Sequence, residues 1–219
     1  MKIKICCTAN AEEALLARAA GATAIGLVGE MPSGPGVIGV EAAATIVGAL
    51  PSDIDTFFLT SKTRADDIET ELVRCGANTV QVVQHIDPRE HERLQATLPH
   101  VRRVQVIHVE NKHALELVDA YAERVDAFLL DSGQTAGAKP QFGGTGSVHD
   151  WSISRQFVES TDLPVYLAGG LSSKNIFDAI AAVRPAGVDV CSGVRTDGAL
   201  DPEKLQLFIA EINRAAEAL

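Results

Sequence analysis

KIKICCTANAEE, residues 2–13, carries a short β-branched segment into a helix start across only a few residues. Lys2–Cys6 reads as a strand. Asn10 then stands where an N-cap belongs, and Glu12 and Glu13 follow in the first turn, at the positive end of the helix dipole. The junction between them holds no G-x-G-x-x-G. A doubly wound nucleotide-binding sheet concentrates its glycine signature after the first strand, so this junction points away from that fold.

The same strand-to-helix step recurs along the chain. Thr23–Val28 leads to Val40–Leu50, Thr56–Leu59 to Arg64–Cys75, and Thr79–Val83 to Pro88–Leu98. Val101–Val109 leads to Lys112–Arg124. Ala127–Asp131 leads through a long loop to a helix around Ser152–Ser160. Pro164–Ala168 with Ser173–Val183, and Val188–Cys191 with Pro202–Ala218, complete the series. Gly21 and Gly76 stand where C-cap glycines stop the first and third helices. Eight alternating units, without linker or low-complexity segment, predict a parallel sheet closed on itself. The expectation is an α/β chain folded as a (β/α)8 TIM barrel, one domain over residues 1–219.

Composition narrows the function. The hydrophobic fraction is 46% and the formal net charge is −10. Such acidity argues against nucleic acid as a partner, which needs basic patches. It leaves room for a small anionic ligand, because backbone amides bind phosphate without net positive charge. The most apolar stretch, Ala14–Met31, is broken by Arg18, Gly21, Gly26 and Gly29, which predicts no membrane span. No leader-like apolar run follows Lys2 and Lys4, so a cytoplasmic location is expected. The four cysteines include no C-x-x-C pair, and adjacent Cys6 and Cys7 point to opposite faces of a strand. Reduced thiols are expected. His85 and His108 lack a third ligand at metal-like spacing, so no metal is expected. His91, His100 and His113 are placed on solvent-facing helices or turns, His149 in the loop before the sixth helix, and Trp151 as a packing residue.

In a barrel of this kind the chemistry sits at the C-terminal ends of the strands. Those ends carry Cys6, Thr60–Ser61, Gln84–His85, His108, Asp131, Gly169–Gly170 and Ser192–Gly193. Three glycine-bearing loops cluster late: QFGGTGSVHDW (141–151), LAGGLSS (167–173) and DVCSGVR (189–195). Two of them follow the seventh and eighth strands, where barrels often hold a phosphate. Asp131 ends a buried apolar strand and reads either as a general acid or as a cap for the next loop. Cys6 reads either as a general base or as core packing.

KIC (4–6), FLLDS (128–132), GGTG (143–146), DW (150–151), LAGGL (167–171) and VRPAGVDVCSGV (183–194) occur in that order. Together they resemble the phosphoribosylanthranilate isomerases of tryptophan biosynthesis, along nearly the whole chain. The resemblance implies an Amadori rearrangement of a small phosphoribosyl substrate, with no cofactor. It makes Cys6 the general base and Asp131 the general acid. It places Gly144, Gly169, Gly170, Ser192 and Gly193 around the phosphate and Asp189 near the substrate amine. It makes Cys7, at a position usually held by glycine, structural. Members of the family occur as monomers and homodimers.

The match departs on one side of the pocket. The family carries S-P-R-Y or similar after its second strand, its arginine clamping the anthranilate carboxylate. Here EMPSGPGVI (30–38) puts Gly36 at that place. Q-L-H-G becomes QVVQH (81–85), a strand-five lysine becomes His108, and S-S-G-V-E becomes CSGVR, which adds Arg195 at the mouth. Arg195 is expected to replace the clamp with the substrate unchanged. The alternatives are an isomerase of another phosphoribosyl amine, and a non-catalytic barrel that binds a phosphorylated ligand. Loop Ser132–Val148 is long enough to form a lid.

Overall fold

The structure is a computed structural model and describes residues 1–32, 34–133 and 148–218. Strands β1 (Lys2–Ile5), β2 (Ala24–Val28), β3 (Asp55–Thr60) and β4 (Thr79–Val82) alternate with helices α1 (Ala11–Ala19), α2 (Val40–Ala49), α3 (Ala65–Cys75) and α4 (Pro88–Thr97). Strands β5 (Arg102–His108), β6 (Ala127–Asp131), β7 (Val165–Leu167) and β8 (Gly187–Val190) follow, with α5 (Leu117–Tyr121), α6 (Trp151–Glu159), α7 (Ile176–Val183) and α8 (Pro202–Ala218). The eight strands form a closed barrel in sequence order. The expected (β/α)8 architecture is thus observed.

Strand residues alternate between two cores, as the pleat requires. On β3, Phe57 and Leu59 point into the barrel with Val104, Val106 and Leu129, while Phe58 faces the helix layer. On β6, Phe128 faces outward and meets Phe157 of α6 edge-on, with ring centroids 5.1 Å apart. Helix starts follow the sequence signals. Asn10 Oδ1 accepts the Glu13 N–H at 2.9 Å, and Gly76 ends α3 with φ +71.

The barrel closes where β1 meets β8, in the register Lys4↔Asp189 and Ile5↔Val190. Lys4 Nζ lies 2.8 Å from Asp189 Oδ2, with both side chains buried. The Lys4 ammonium also faces the Phe57 ring, 5.3 Å from its centroid. Burial works against the Lys4 charge. The Asp189 carboxylate outweighs it, with the Cys6 and Cys7 thiols adding, and Lys4 is held above its ordinary value.

Three local expectations are corrected. Lys112–Arg124 is not one helix: a tight 3-10 turn, Lys112–Glu116, precedes α5. Asn111 Oδ1 takes the His113 N–H at 2.8 Å and the Asn111 carbonyl takes the Ala114 N–H at 3.2 Å, which winds that turn on i→i+3 bonds. A two-stranded hairpin, β9 (Arg195–Thr196) with β10 (Ala199–Leu200), stands between β8 and α8. Asp197 and Gly198, both at positive φ, make its turn. Finally, His91 is fully buried rather than solvent-facing, because it shares the sheet-facing side of α4 with Leu94. Its Nε2 lies 2.9 Å from Gln105 Oε1, and Gln105 Nε2 donates to the Gln84 carbonyl at 2.9 Å.

Burial holds the His91 imidazole below its ordinary value of 6.5. Below that pH the unfolded chain takes up a proton that the folded chain refuses, so stability falls on acidification. Urea unfolding between pH 7.5 and 5.5 is expected to show this fall, and His91→Gln to flatten it. A variant with an unchanged slope excludes His91 as a cause. At the seam, Lys4→Met leaves the Asp189 carboxylate buried without its partner and is expected to cost about 3–5 kcal/mol in the same measurement. Lys4→Met combined with Asp189→Leu is expected to recover much of that loss.

Candidate active site

At the C-terminal ends of the strands, loops rise around a pocket whose wall includes Cys6, His108, Asp131 and Ser192, with Asp189 at its floor. Cys6 is the first residue beyond β1. Its N–H donates to the Val190 carbonyl at 2.8 Å, which continues the β1–β8 ladder by one step. Two residues beyond Lys4, it shares the inward face of the strand. Gly26 on β2 makes room for the sulfur, since a β-carbon there would lie 2.9 Å from Cys6 Sγ.

Asp131 is the last residue of β6 and pairs in register with His108, the last of β5. Its Oδ1 accepts the Ser132 N–H at 2.7 Å. The His108 Nε2 lies 2.9 Å from the Val83 carbonyl, which makes that nitrogen the donor. Asp189 Oδ2 is held by Lys4, while its Oδ1 is buried without a hydrogen-bond partner. Burial pushes the Asp189 carboxyl up, with Asp131 adding and Lys4 opposing. The 2.8 Å contact and the strongly held Lys4 proton mark the two as an ion pair.

The loops after β7 and β8 form the other wall. Gly169 and Gly170 adopt positive φ of +83 and +63. A β-carbon on Gly169 would lie 2.8 Å from Ser132 Oγ, so this loop packs directly on the end of β6. Asn175 braces it, accepting the Ser172 N–H at 2.8 Å and donating to the Gly170 carbonyl at 2.9 Å. Ser192 opens a short 3-10 turn, Ser192–Val194, and Gly193 within it packs on Leu171. The structure therefore brings Cys6, Asp131, Gly169, Gly170, Asp189 and Ser192 to one pocket, with Gly193 just behind. Gly144, and loop Ser132–Val148 from residue 134 to 147, lie outside the described residues.

Arg195 does not take the role expected of it. Its guanidinium is turned away from the pocket and spent on structure. Nη1 pairs with Glu13 of α1 at 3.1 Å and donates to the Gly198 carbonyl at 2.9 Å. Nη2 donates to the carbonyls of Cys6 and Cys7 at 3.1 and 2.7 Å. The fork ties α1, the end of β1 and the hairpin together, and leaves no donor pair for a ligand carboxylate.

The missing arginine at position 36 has a steric counterpart. Cys7 stands at φ +60, a conformation that costs an L-residue on the order of 1–2 kcal/mol. Gly36, at φ +77, packs against it, and a β-carbon at 36 would lie 2.5 Å from Cys7 Cβ. A side chain at 7 and one at 36 compete for the same space.

Gln81 was not singled out from the sequence. It is buried on the inner face of β4, lines the pocket, and its Oε1 has no hydrogen-bond partner. A lone amide in the apolar run TVQVV was the available signal. Among the described residues no lysine or arginine lines the pocket, no His/Cys/Asp/Glu group fits a metal ion, and no helix is long and apolar enough to cross a membrane.

Comparison with known proteins agrees with this architecture. An N-(5'-phosphoribosyl)anthranilate isomerase of Methanocella arvoryzae is 34% identical over 196 residues, 90% of each chain. A phosphoribosyl anthranilate isomerase structure from Thermus thermophilus superposes with a TM-score of 0.82 at 26% identity, covering 98% of this chain and 99% of that one. Another such isomerase, solved with reduced 1-(o-carboxyphenylamino)-1-deoxyribulose 5-phosphate, gives a TM-score of 0.80 at 25% identity over 100% of both chains. The sequence pattern of N-(5'-phosphoribosyl)anthranilate (PRA) isomerase matches residues 5–211, and the chain belongs to that enzyme family.

Proposed function

We propose that this protein isomerises N-(5'-phosphoribosyl)anthranilate to 1-(2-carboxyphenylamino)-1-deoxyribulose 5-phosphate, as a step of tryptophan biosynthesis. The observation that carries the reading is one pocket with Cys6 and Asp131 on its wall, on strands three steps apart around the ring, beside the glycine loops after β7 and β8. One acid and one base on two sides of a sugar suffice for an aldose-to-ketose shift.

The phosphate sits against Gly169, Gly170 and Ser192, on the glycine-loop wall of the pocket. Asp131, protonated, gives its proton to the furanose ring oxygen. The carbon–oxygen bond at carbon 1 breaks, and the nitrogen lone pair forms the Schiff base. Cys6, as thiolate, removes the proton from carbon 2, and the electron pair moves to give the enolamine, which tautomerises to the ketose. Solvent returns the proton from Cys6 to Asp131. The Lys4 ammonium, which interacts with Cys6 from the barrel floor, is a fixed cation beside the base. The unpartnered Oδ1 of Asp189 suits an N–H donor, the substrate amine.

The anthranilate carboxylate needs a partner that is neither residue 36 nor Arg195. His108 is the imidazole of the described pocket wall, and its ring takes that part. The lack of lysine and arginine among the described wall residues favours one second reading, an isomerase of a phosphoribosyl amine without the carboxylate.

Turnover, followed by loss of substrate fluorescence, tests both. Cys6→Ser and Asp131→Asn are each expected to lower kcat by about 10²–10⁴. Both are expected to keep their affinity for the reduced product analogue. Normal rates in Asp131→Asn would overturn its role as the acid. His108→Ala is expected to raise KM about tenfold with kcat little changed, as loss of a charge-assisted contact does. Faster turnover of the phosphoribosyl adduct of aniline than of anthranilate would favour the second reading.

A further inference from the structure

Three of the four cysteines meet at this pocket. Cys6, Cys7 and Cys191 all line it, whereas Cys75 lies buried on α3 with its thiol 3.6 Å from the Leu72 carbonyl. Their meeting follows from the barrel seam. Ile5 and Val190 are in register, the Cys6 N–H extends the ladder, and Cys191 is the next residue after β8. The left-handed turn at Cys7 then sets its side chain on the same pocket as those of Cys191 and Cys6. Arg195 clasps the carbonyls of Cys6 and Cys7 and fixes the turn.

The three thiols differ in their surroundings. Cys6 and Cys7 are buried, while Cys191 is partly exposed on the pocket side. The neighbouring Cys7 thiol holds the Cys191 thiol below its ordinary value against the pull of burial, with Arg195 adding, Asp189 opposing and Lys4 adding last. The contacts to Cys191 and Cys6, together with burial, push the Cys7 thiol up. Cys191 is thus the more accessible of the three sulfurs, and Cys7 is its buried neighbour in the same pocket. A peroxide-reactive thiol beside a resolving thiol has this arrangement.

We propose that Cys191 and Cys7 form an oxidation site, in which a hydroperoxide oxidises Cys191 and Cys7 closes a reversible disulfide at the pocket mouth. The Cys191 thiolate attacks one peroxide oxygen and the O–O bond breaks. The leaving hydroxide or alkoxide takes a proton and departs as water or alcohol, leaving Cys191 as the sulfenic acid. Cys7, giving its proton to solvent, attacks the Cys191 sulfur. The S–O bond breaks, and hydroxide leaves as water. In sum, two thiols and one hydroperoxide give one disulfide, one alcohol or water, and one water. Cys6 stays reduced, which separates this chemistry from that of the isomerase.

The test is peptide mapping of the whole reduced protein after treatment with one equivalent of hydrogen peroxide, under non-reducing conditions. The expected product is a Cys7–Cys191 cross-linked peptide that dithiothreitol releases, with Cys6 and Cys75 still alkylatable. Cys7→Gly, which suits the positive φ, is expected to stop at a Cys191 sulfenic acid trapped by dimedone. Cys191→Ser and Cys191→Ala are expected to slow peroxide consumption at least tenfold. Oxidation that falls first on Cys6, or a wild-type chain that ends as a sulfenic acid without the cross-link, overturns the proposal. The readout is covalent, so it stands whether or not the chain turns over phosphoribosylanthranilate.

Discussion

The ion pair between Lys4 and Asp189 is the contact from which the rest of the site is hung. It joins the first and last strands, which are far apart in sequence, at the line where the barrel closes. Burying two charges is costly, and such a pair is no simple gain in stability. Its value lies in register. A strand slipped by one residue turns every side chain to the opposite face. Here that slip would leave an ammonium among the outer helices and a carboxylate without its partner. The penalty fixes the seam, and fixing the seam fixes what lies above it. Cys6 stands two residues beyond Lys4, and Cys191 two beyond Asp189, so both thiols face inward over the pair. The same two charges that lock the fold also act on the Cys191 thiol above them.

Arg195 plays a matching part on the outside of the seam. It binds Glu13, the Gly198 carbonyl and the carbonyls of Cys6 and Cys7, so helix α1 and the hairpin hold the end of β1 in place. Glu13 in turn accepts the Leu200 and Ala9 N–H groups. Burial works against the Glu13 charge, yet Arg195 and these two backbone donors keep its carboxyl below the usual range. A residue that adjacency in sequence places at the pocket mouth is thereby drawn into the scaffold. The exchange at positions 7 and 36 belongs to the same region. A β-carbon at Cys7 fills the space beside Gly36.

Much of the fold was legible because each junction carries its own physical signal. Asn10 caps a helix, Gly76 ends one, and apolar residues at period two or 3.6 separate strand from helix. The convergence of Cys6, Asp131, Gly169, Gly170, Asp189 and Ser192 was legible for the same reason: the strand ends of a closed parallel barrel meet around one pocket. What stayed hidden depends on partners distant in sequence. His91 sits in a polar helix, and the polar partner of its buried ring, Gln105, lies on the strand beneath. The partner of Arg195 is Glu13, 182 residues away, and the sequence gives no hint of the pairing. Gln81 and Asp189 both line the pocket with an orphaned acceptor; a lone amide in an apolar strand hints at the first, and the lack of a partner shows only in the fold.

In the proposed reaction the Cys6 sulfur removes the proton from carbon 2 of the substrate sugar. Release of deuterium to water from substrate labelled at that carbon measures the step itself, apart from binding and product release. With Cys6 as the base, release is expected at the rate of turnover in the unaltered protein, with a loss of about 10²–10⁴ in Cys6→Ala while the labelled substrate still binds. Release from Cys6→Ala at an unchanged rate would contradict it, and the base would have to be sought among the other groups of the pocket.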